Sequence, residues 1–164
     1  MAGKQKNQDI EKTNVMRLLD SLDVDYIPHC YIDSGAVSGV DVAAVLGIDR
    51  ERVFKTLVTA GKSGEHYVFM IPVAEELDLK KAASAACEKF VEMIKSRDLL
   101  AVTGYIHGGC SPIGMKKQFP VFVDETAVLY DEIVFSAGKI GYQVEIKTDD
   151  LSKAVKFEYA DLCC

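Results

Sequence analysis

The sequence predicts an α+β fold: a mixed, mainly antiparallel sheet curled into a barrel-like core and surrounded by short helices. Three observations predict it. About six segments have strand composition and most are joined by short turns. Several short helical segments are interspersed with them. Strict strand-helix alternation is absent, which argues against a doubly wound parallel sheet.

The elements follow in order. Val15, Leu18, Leu19 and Leu22 recur at helical spacing, so Thr13–Leu22 reads as a helix with Thr13 as its N-cap. Val24–Ile32 has strand composition, and Pro28 pushes it toward an edge. Asp33-Ser34-Gly35 marks a turn. Ser38 can cap a helix running to Leu46, with Gly47 as its stop and Val42, Val45 and Leu46 as its buried face. Val53–Ala60 is apolar apart from Lys55 and two threonines, the pattern of a central strand covered on both sides. Gly61–Gly64 turns the chain into His66–Val73, so the pair reads as a hairpin. Asp78–Ala86 and Ser96–Ala101 are helix-forming, with a short strand Phe90–Met93 between them. Val121–Asp124, Glu132–Ser136 and Tyr142–Ile146 are further strands, the last two joined by the turn Ser136–Gly141. Thr148–Val155 is a helix whose first turn suits Asp149 and Asp150. Phe157–Tyr159 adds an edge strand.

The chain has 164 residues, enough for one domain with a real core. No linker or repeat divides it, so we expect a flexible arm at residues 1–12 and a single domain at 13–164. The net charge of −6 argues against broad electrostatic binding to nucleic acid, though not against a local basic patch. No apolar run approaches the ~18 residues of a membrane span, and Met1–Lys12 carries no signal-peptide core. The expected address is therefore the cytoplasm. Five cysteines at scattered positions form no disulfide framework, and reduced thiols are expected. The terminal pair Cys163-Cys164 lacks the spaced partners of a zinc site.

Three features could carry chemistry. Lys55 lies between apolar residues on a strand, which is costly unless the ammonium meets an anion or loses its proton. It could fix a phosphate or carboxylate, or snorkel to water from a strand end. Gly104–Gly114 holds four glycines and a proline, so its backbone can approach a ligand closely. Its amides at Gly108-Gly109-Cys110-Ser111-Pro112 could bind an anion or polarise a carbonyl, or simply make a tight turn. Lys116 and Lys117 follow as a small basic site or a solvated face. Ser136-Ala137-Gly138-Lys139 is the third, where Ser136 could orient a substrate hydroxyl or amine. A Cys110/His107 dyad is conceivable from spacing alone. No Gly-x-Ser-x-Gly elbow, His-Glu-x-x-His motif or Walker loop is present. An enzyme of this kind supplies position and dipoles while the substrate supplies reacting groups.

The strand Val53-Phe54-Lys55-Thr56-Leu57, the loop Gly104–Gly114 and the turn Ser136-Ala137-Gly138-Lys139 occur in an order and spacing that resembles the YbaK/EbsC family of aminoacyl-tRNA deacylases. Pro72-Val73 followed by Leu77-Asp78-Leu79-Lys80-Lys81 belongs to the same pattern, which covers roughly residues 13–160. The resemblance is greatest to the YbaK branch, related to the editing domain of prolyl-tRNA synthetase. It implies trans hydrolysis of Cys-tRNA(Pro), with the proline-tRNA acceptor end as partner and no cofactor or metal. A prolyl-tRNA synthetase partner is implied as well. The family's lysine falls on Lys55, followed by Thr56. Its glycine-loop backbone falls on Gly108 and Gly109, completed by Ser111 and Pro112. Pocket positions fall on Tyr31, Ser136 and Gly138. Two departures, Gln143 for an aspartate and Ser38 for an aromatic, bear on which aminoacyl group fits. Ala-tRNA(Pro) or another small aminoacyl-tRNA is the alternative substrate. A non-catalytic module for the acceptor end or a nucleotide is the alternative class.

Overall fold

The computed structural model describes residues 11–164. The expected arm at 1–12 therefore falls, up to residue 10, outside the described residues. Helix α1 (Asn14–Ser21) is capped by Thr13, whose side chain accepts from Met16 N, and buries Val15, Met16 and Leu19. The chain then reverses with Asp23 at φ 55° and Val24 N donating to Leu19 O at 3.0 Å. That return makes Val24 part of the helix end, so strand β1 covers only Ile27–Cys30 of the expected span. Helix α2 (Gly39–Leu46) starts at Ser38 and stops at Gly47, whose φ of 68° favours glycine. It buries Val42 and Ala43, with Ala43 packed on Val53 and Val134. Val45, expected inside, is 52% exposed because Ala43 faces the packing partner instead.

Strands β2 (Phe54–Gly61) and β3 (His66–Pro72) form the expected hairpin, with Phe54 opposite Pro72 and Ala60 opposite His66. Helix α3 (Leu79–Ala86), strand β4 (Val91–Met93) and helix α4 (Ser96–Thr103) follow. Strand β5 (Val121–Asp124) comes after the glycine loop. Strands β6 (Glu132–Ser136) and β7 (Tyr142–Lys147) make a second hairpin. The expected helix at Thr148–Val155 begins with a 3-10 turn before α5 (Leu151–Ala154), and β8 (Glu158–Ala160) is an edge strand.

Two sheets result, in the orders β1-β7-β6 and β4-β2-β3-β5-β8. They are mixed: β3–β5 and β5–β8 are parallel, the other pairings antiparallel. The barrel-like closure expected from the sequence is corrected here, because among the described residues neither sheet closes on itself. One bridge, Val53 to Val134, links them. The chain turns into α4 at Ser96 soon after β4, so among the described residues no strand continues to fill the space between β2 and β6.

The larger sheet is covered on both faces. Val68 and Met70 point to a core shared with Val15, Leu19, Ile133, Phe135, Val144 and Ile146. Phe69 and Ile71 point the other way, to Ala82, Ala83, Phe122 and Leu162, where the Phe69 and Phe122 rings stack at 5.4 Å. Burying a side chain such as Phe69 stabilises the fold by roughly 2–3 kcal/mol. Among the described residues no helix is long and apolar enough to cross a membrane.

Candidate active site

The missing strand leaves a cavity. Strand β4 pairs only with Thr59–Gly61, and Ile94 N reaches Val58 O at 3.2 Å. At the other end Val53 bridges β6, while its carbonyl accepts from Val73 N on the β3 side. Between these attachments runs Phe54–Val58, and every residue of that run lines a cavity of about 450 Å³. Such a volume suits a small ligand or the end of a larger one.

The cavity brings together Tyr31, Ser38, Lys55, Thr56, Gly108, Ser136 and Gln143, all singled out in the sequence. Ser136 and Gln143 meet because they are opposite one another in the β6–β7 ladder. Ser136 Oγ accepts from Gly138 N at 3.2 Å, which holds the turn closed, and Ser38 Oγ caps α2 by accepting from Asp41 N at 3.1 Å. Lys55 is half-buried, and among the described residues no carboxylate pairs with it. Thr56 Oγ1 and Gln143 Oε1 are buried without a hydrogen-bond partner. Unsatisfied buried polar atoms are rare in folded proteins, and here two belong to residues of one cavity wall.

Gly109, Ser111, Pro112 and Gly138 do not line the cavity. Gly109 N donates to Ile106 O at 3.0 Å, so its amide is engaged in a turn and is not free to face a carbonyl. Its backbone instead lies against the 136–141 turn, where an added Cβ would sit 3.0 Å from Ile140 N. Gly108, at φ 87°, is exposed and lines the cavity, so of the two glycines only Gly108 is placed at it. Ser111 is fully buried and its Oγ accepts from Ile113 N at 3.3 Å, fixing the loop from behind together with buried Pro112. Gly138, at φ 84°, backs onto Val15 and Tyr105. Lys116 and Lys117 are exposed and lie outside the cavity lining.

Sequence reasoning missed two things. Lys95 lines the cavity from the junction of β4 and α4. Cys110 lines it as well, but burial pushes its thiol up to about 12, so it stays protonated and is a poor nucleophile. The dyad with His107 is therefore not a nucleophilic pair. The second thing missed is an ion cluster beside the cavity. Glu145 Oε2 accepts from Arg52 Nη1 at 2.9 Å, and Oε1 lies 2.8 Å from His29 Nε2. Glu145 shares a face of β7 with Gln143, and Arg52 directly precedes Val53, so the cluster ties the two cavity walls. Burial raises the Glu145 carboxyl, but His29 and Arg52 outweigh it and hold it below the usual carboxylate range. Only His29 opposite Gln143 in the β1–β7 register could have hinted at it. Among the described residues no three His, Cys, Asp or Glu side chains are placed to hold a metal ion.

A mixed two-sheet fold of this kind has known counterparts. Residues 34–154 match the aminoacyl-tRNA editing domain, and the chain belongs to that family. It is 45% identical to EbsC of Enterococcus faecalis over 97% of this chain and 96% of that protein, whose name assigns it provisionally as a Cys-tRNA(Pro)/Cys-tRNA(Cys) deacylase. A proline–tRNA ligase of Pelobacter propionicus is 32% identical over 51% of this chain and 15% of that protein. A crystal structure provisionally described as a trans-editing enzyme for prolyl tRNA synthetase superposes with a TM-score of 0.80 at 20% identity. The match covers 94% of this chain and 99% of that one, and it carries the fold alone.

Proposed function

We propose that this chain is a deacylase that hydrolyses the ester joining a mischarged amino acid to the 3′ end of tRNA, with Cys-tRNA(Pro) as its preferred substrate. The observation that carries the reading is the run Phe54–Val58, which places an unpaired Lys55 and the unsatisfied Thr56 Oγ1 on the same cavity as Gly108. In this reading residues 13–164 act as one unit. Lys55 holds the negatively charged end of the RNA. The Gly108 amide stabilises the oxyanion as the carbonyl is attacked. Tyr31, Ser38, Thr56, Ser136 and Gln143 shape the acyl subsite. Gly109, Ser111, Pro112 and Gly138 position these groups from behind. Water adds to the acyl carbon, the acyl C–O bond breaks and the ribose oxygen leaves with a proton.

No protein side chain is a nucleophile in this scheme, which is supported by the protonated state of Cys110. An ester is activated enough for orientation and a fixed dipole to suffice, aided by the substrate's own thiol and ribose hydroxyl. The reaction needs no cofactor or metal. With a net charge of −6 the protein has little general affinity for RNA, so recruitment through prolyl-tRNA synthetase in the cytoplasm belongs to the proposal.

The test is a panel of purified Cys-tRNA(Pro), Ala-tRNA(Pro), Pro-tRNA(Pro) and Cys-tRNA(Cys). Wild type should release cysteine from Cys-tRNA(Pro) fastest. Faster release of alanine would move the preference to Ala-tRNA(Pro), and binding without turnover across the panel would replace the enzyme with a binding module.

A further inference from the structure

We infer that the cavity accepts the acyl group with its α-amine uncharged, and that Gln143 is the specificity residue that receives this amine. The inference deepens the deacylase reading and rests on it. The chain carries 25 acidic residues, yet none lines the cavity among the described residues. The titratable groups that do face it are Lys55 on β2, Lys95 before α4, His107 and Cys110 on the glycine loop, and Tyr31 after β1. None is a carboxylate, and two are ammonium groups. The nearby buried carboxylate, Glu145, has both oxygens engaged by His29 and Arg52 and does not line the cavity.

A substrate ammonium entering this cavity meets like charges and no counter-ion, in surroundings less polar than water. A neutral amine meets no such penalty. It still has N–H groups to give, and Gln143 Oε1 is a buried acceptor with no partner. Gln143 itself is 8% exposed and sits in the cavity wall opposite Ser136. One neutral donor filling one orphaned acceptor satisfies both, whereas an ammonium would leave its charge uncompensated.

The test compares two non-hydrolysable ligands, 3′-alanylamido-3′-deoxyadenosine and 3′-propanoylamido-3′-deoxyadenosine, which differ only in the amine. Their Kd values are measured on the full chain near pH 6 and pH 9, either side of the ordinary α-amine pKa of about 7.7–8.0. The ratio removes pH effects common to both ligands and leaves those that act through the amine. For wild type, the alanyl ligand should gain roughly tenfold or more over the propanoyl ligand as pH rises. Gln143→Glu should reverse the trend, giving tighter alanyl binding near pH 6. Gln143→Leu should weaken alanyl binding near pH 9 by more than it weakens propanoyl binding, because only the alanyl ligand loses an acceptor. A wild-type ratio that is flat with pH, or that favours the alanyl ligand near pH 6, overturns the inference while propanoyl binding leaves the deacylase reading standing. Failure of both ligands to bind removes that reading and the inference with it.

Discussion

Thr56 and Thr59 are three residues apart on one strand, and their hydroxyls have opposite fates. Thr59 is fully buried and donates to Tyr67 O at 3.1 Å. Thr56 Oγ1 is also buried and has no partner. The two side chains leave β2 on opposite faces, and Thr59 finds its acceptor on β3, the strand paired with it along the hairpin. Thr59 also lies where β4 runs beside β2, at Thr59–Gly61. Where β4 has left for α4, the strand lines a cavity, and a cation and an unanswered hydroxyl remain. One half of β2 is enclosed by the fold and the other half lines the cavity.

The largest effect that would sharpen this contrast is at Lys55. Lys55→Ala should slow deacylation of Cys-tRNA(Pro) by about a hundredfold or more, the scale of losing one electrostatic contact to a transition state. Thermal unfolding should leave the midpoint unchanged or raised, because the half-buried ammonium has no partner in the fold. An unaltered rate would break the assignment. Next is the ion cluster that joins the two walls. Glu145→Gln should cost roughly 2–4 kcal/mol in urea unfolding, since it takes the carboxylate partner from the partly buried Arg52 and His29. Because the folded Glu145 carboxyl lies below its unfolded value, its contribution is present above the ordinary carboxylate range and is lost as pH falls through the lower folded value. The wild-type stability advantage over Glu145→Gln should therefore shrink in acid. A gap unchanged with pH would contradict the paired carboxylate.

The threonines give a smaller, reciprocal pair. Thr59→Val should cost about 1 kcal/mol of stability, one hydrogen bond, and leave turnover alone. Thr56→Val should leave stability alone and lower turnover about tenfold, a contact worth about 1.4 kcal/mol. The same outcome for both would erase the comparison. The smallest effect is at Cys110: Cys110→Ala should keep deacylation within about threefold, because a thiol held up to about 12 does not attack at neutral pH. Abolished turnover in a folded Cys110→Ala protein would restore the nucleophile.

Local features were legible and relational ones were not. The caps at Thr13 and Ser38 and the β2–β3 and β6–β7 hairpins follow from residues close in sequence, and all four formed. The lysine on a both-sides-apolar strand was recognisable as costly before its surroundings were known. That β4 stops short of Phe54–Val58 depends on pairing across some thirty residues, which no local pattern carries. The open fork between β2 and β6 follows from that departure and replaces the expected closure. Gly108 and Gly109 look equivalent in sequence, and they are separated by the bond from Gly109 N to Ile106 O and by the packing of Gly109 on the 136–141 turn. Lys95 and the Arg52–Glu145–His29 cluster become visible only when distant strands are brought into register.

The central claim concerns where the ester sits, and amide NMR tests it most directly. Titrating the protein with 3′-cysteinylamido-3′-deoxyadenosine should shift the resonances of Phe54–Val58, Gly108 and Gln143, and leave Lys81 and Leu162 on the far side of the larger sheet unmoved. Shifts confined to that far side, with the Phe54–Val58 run unchanged at saturation, would contradict the account.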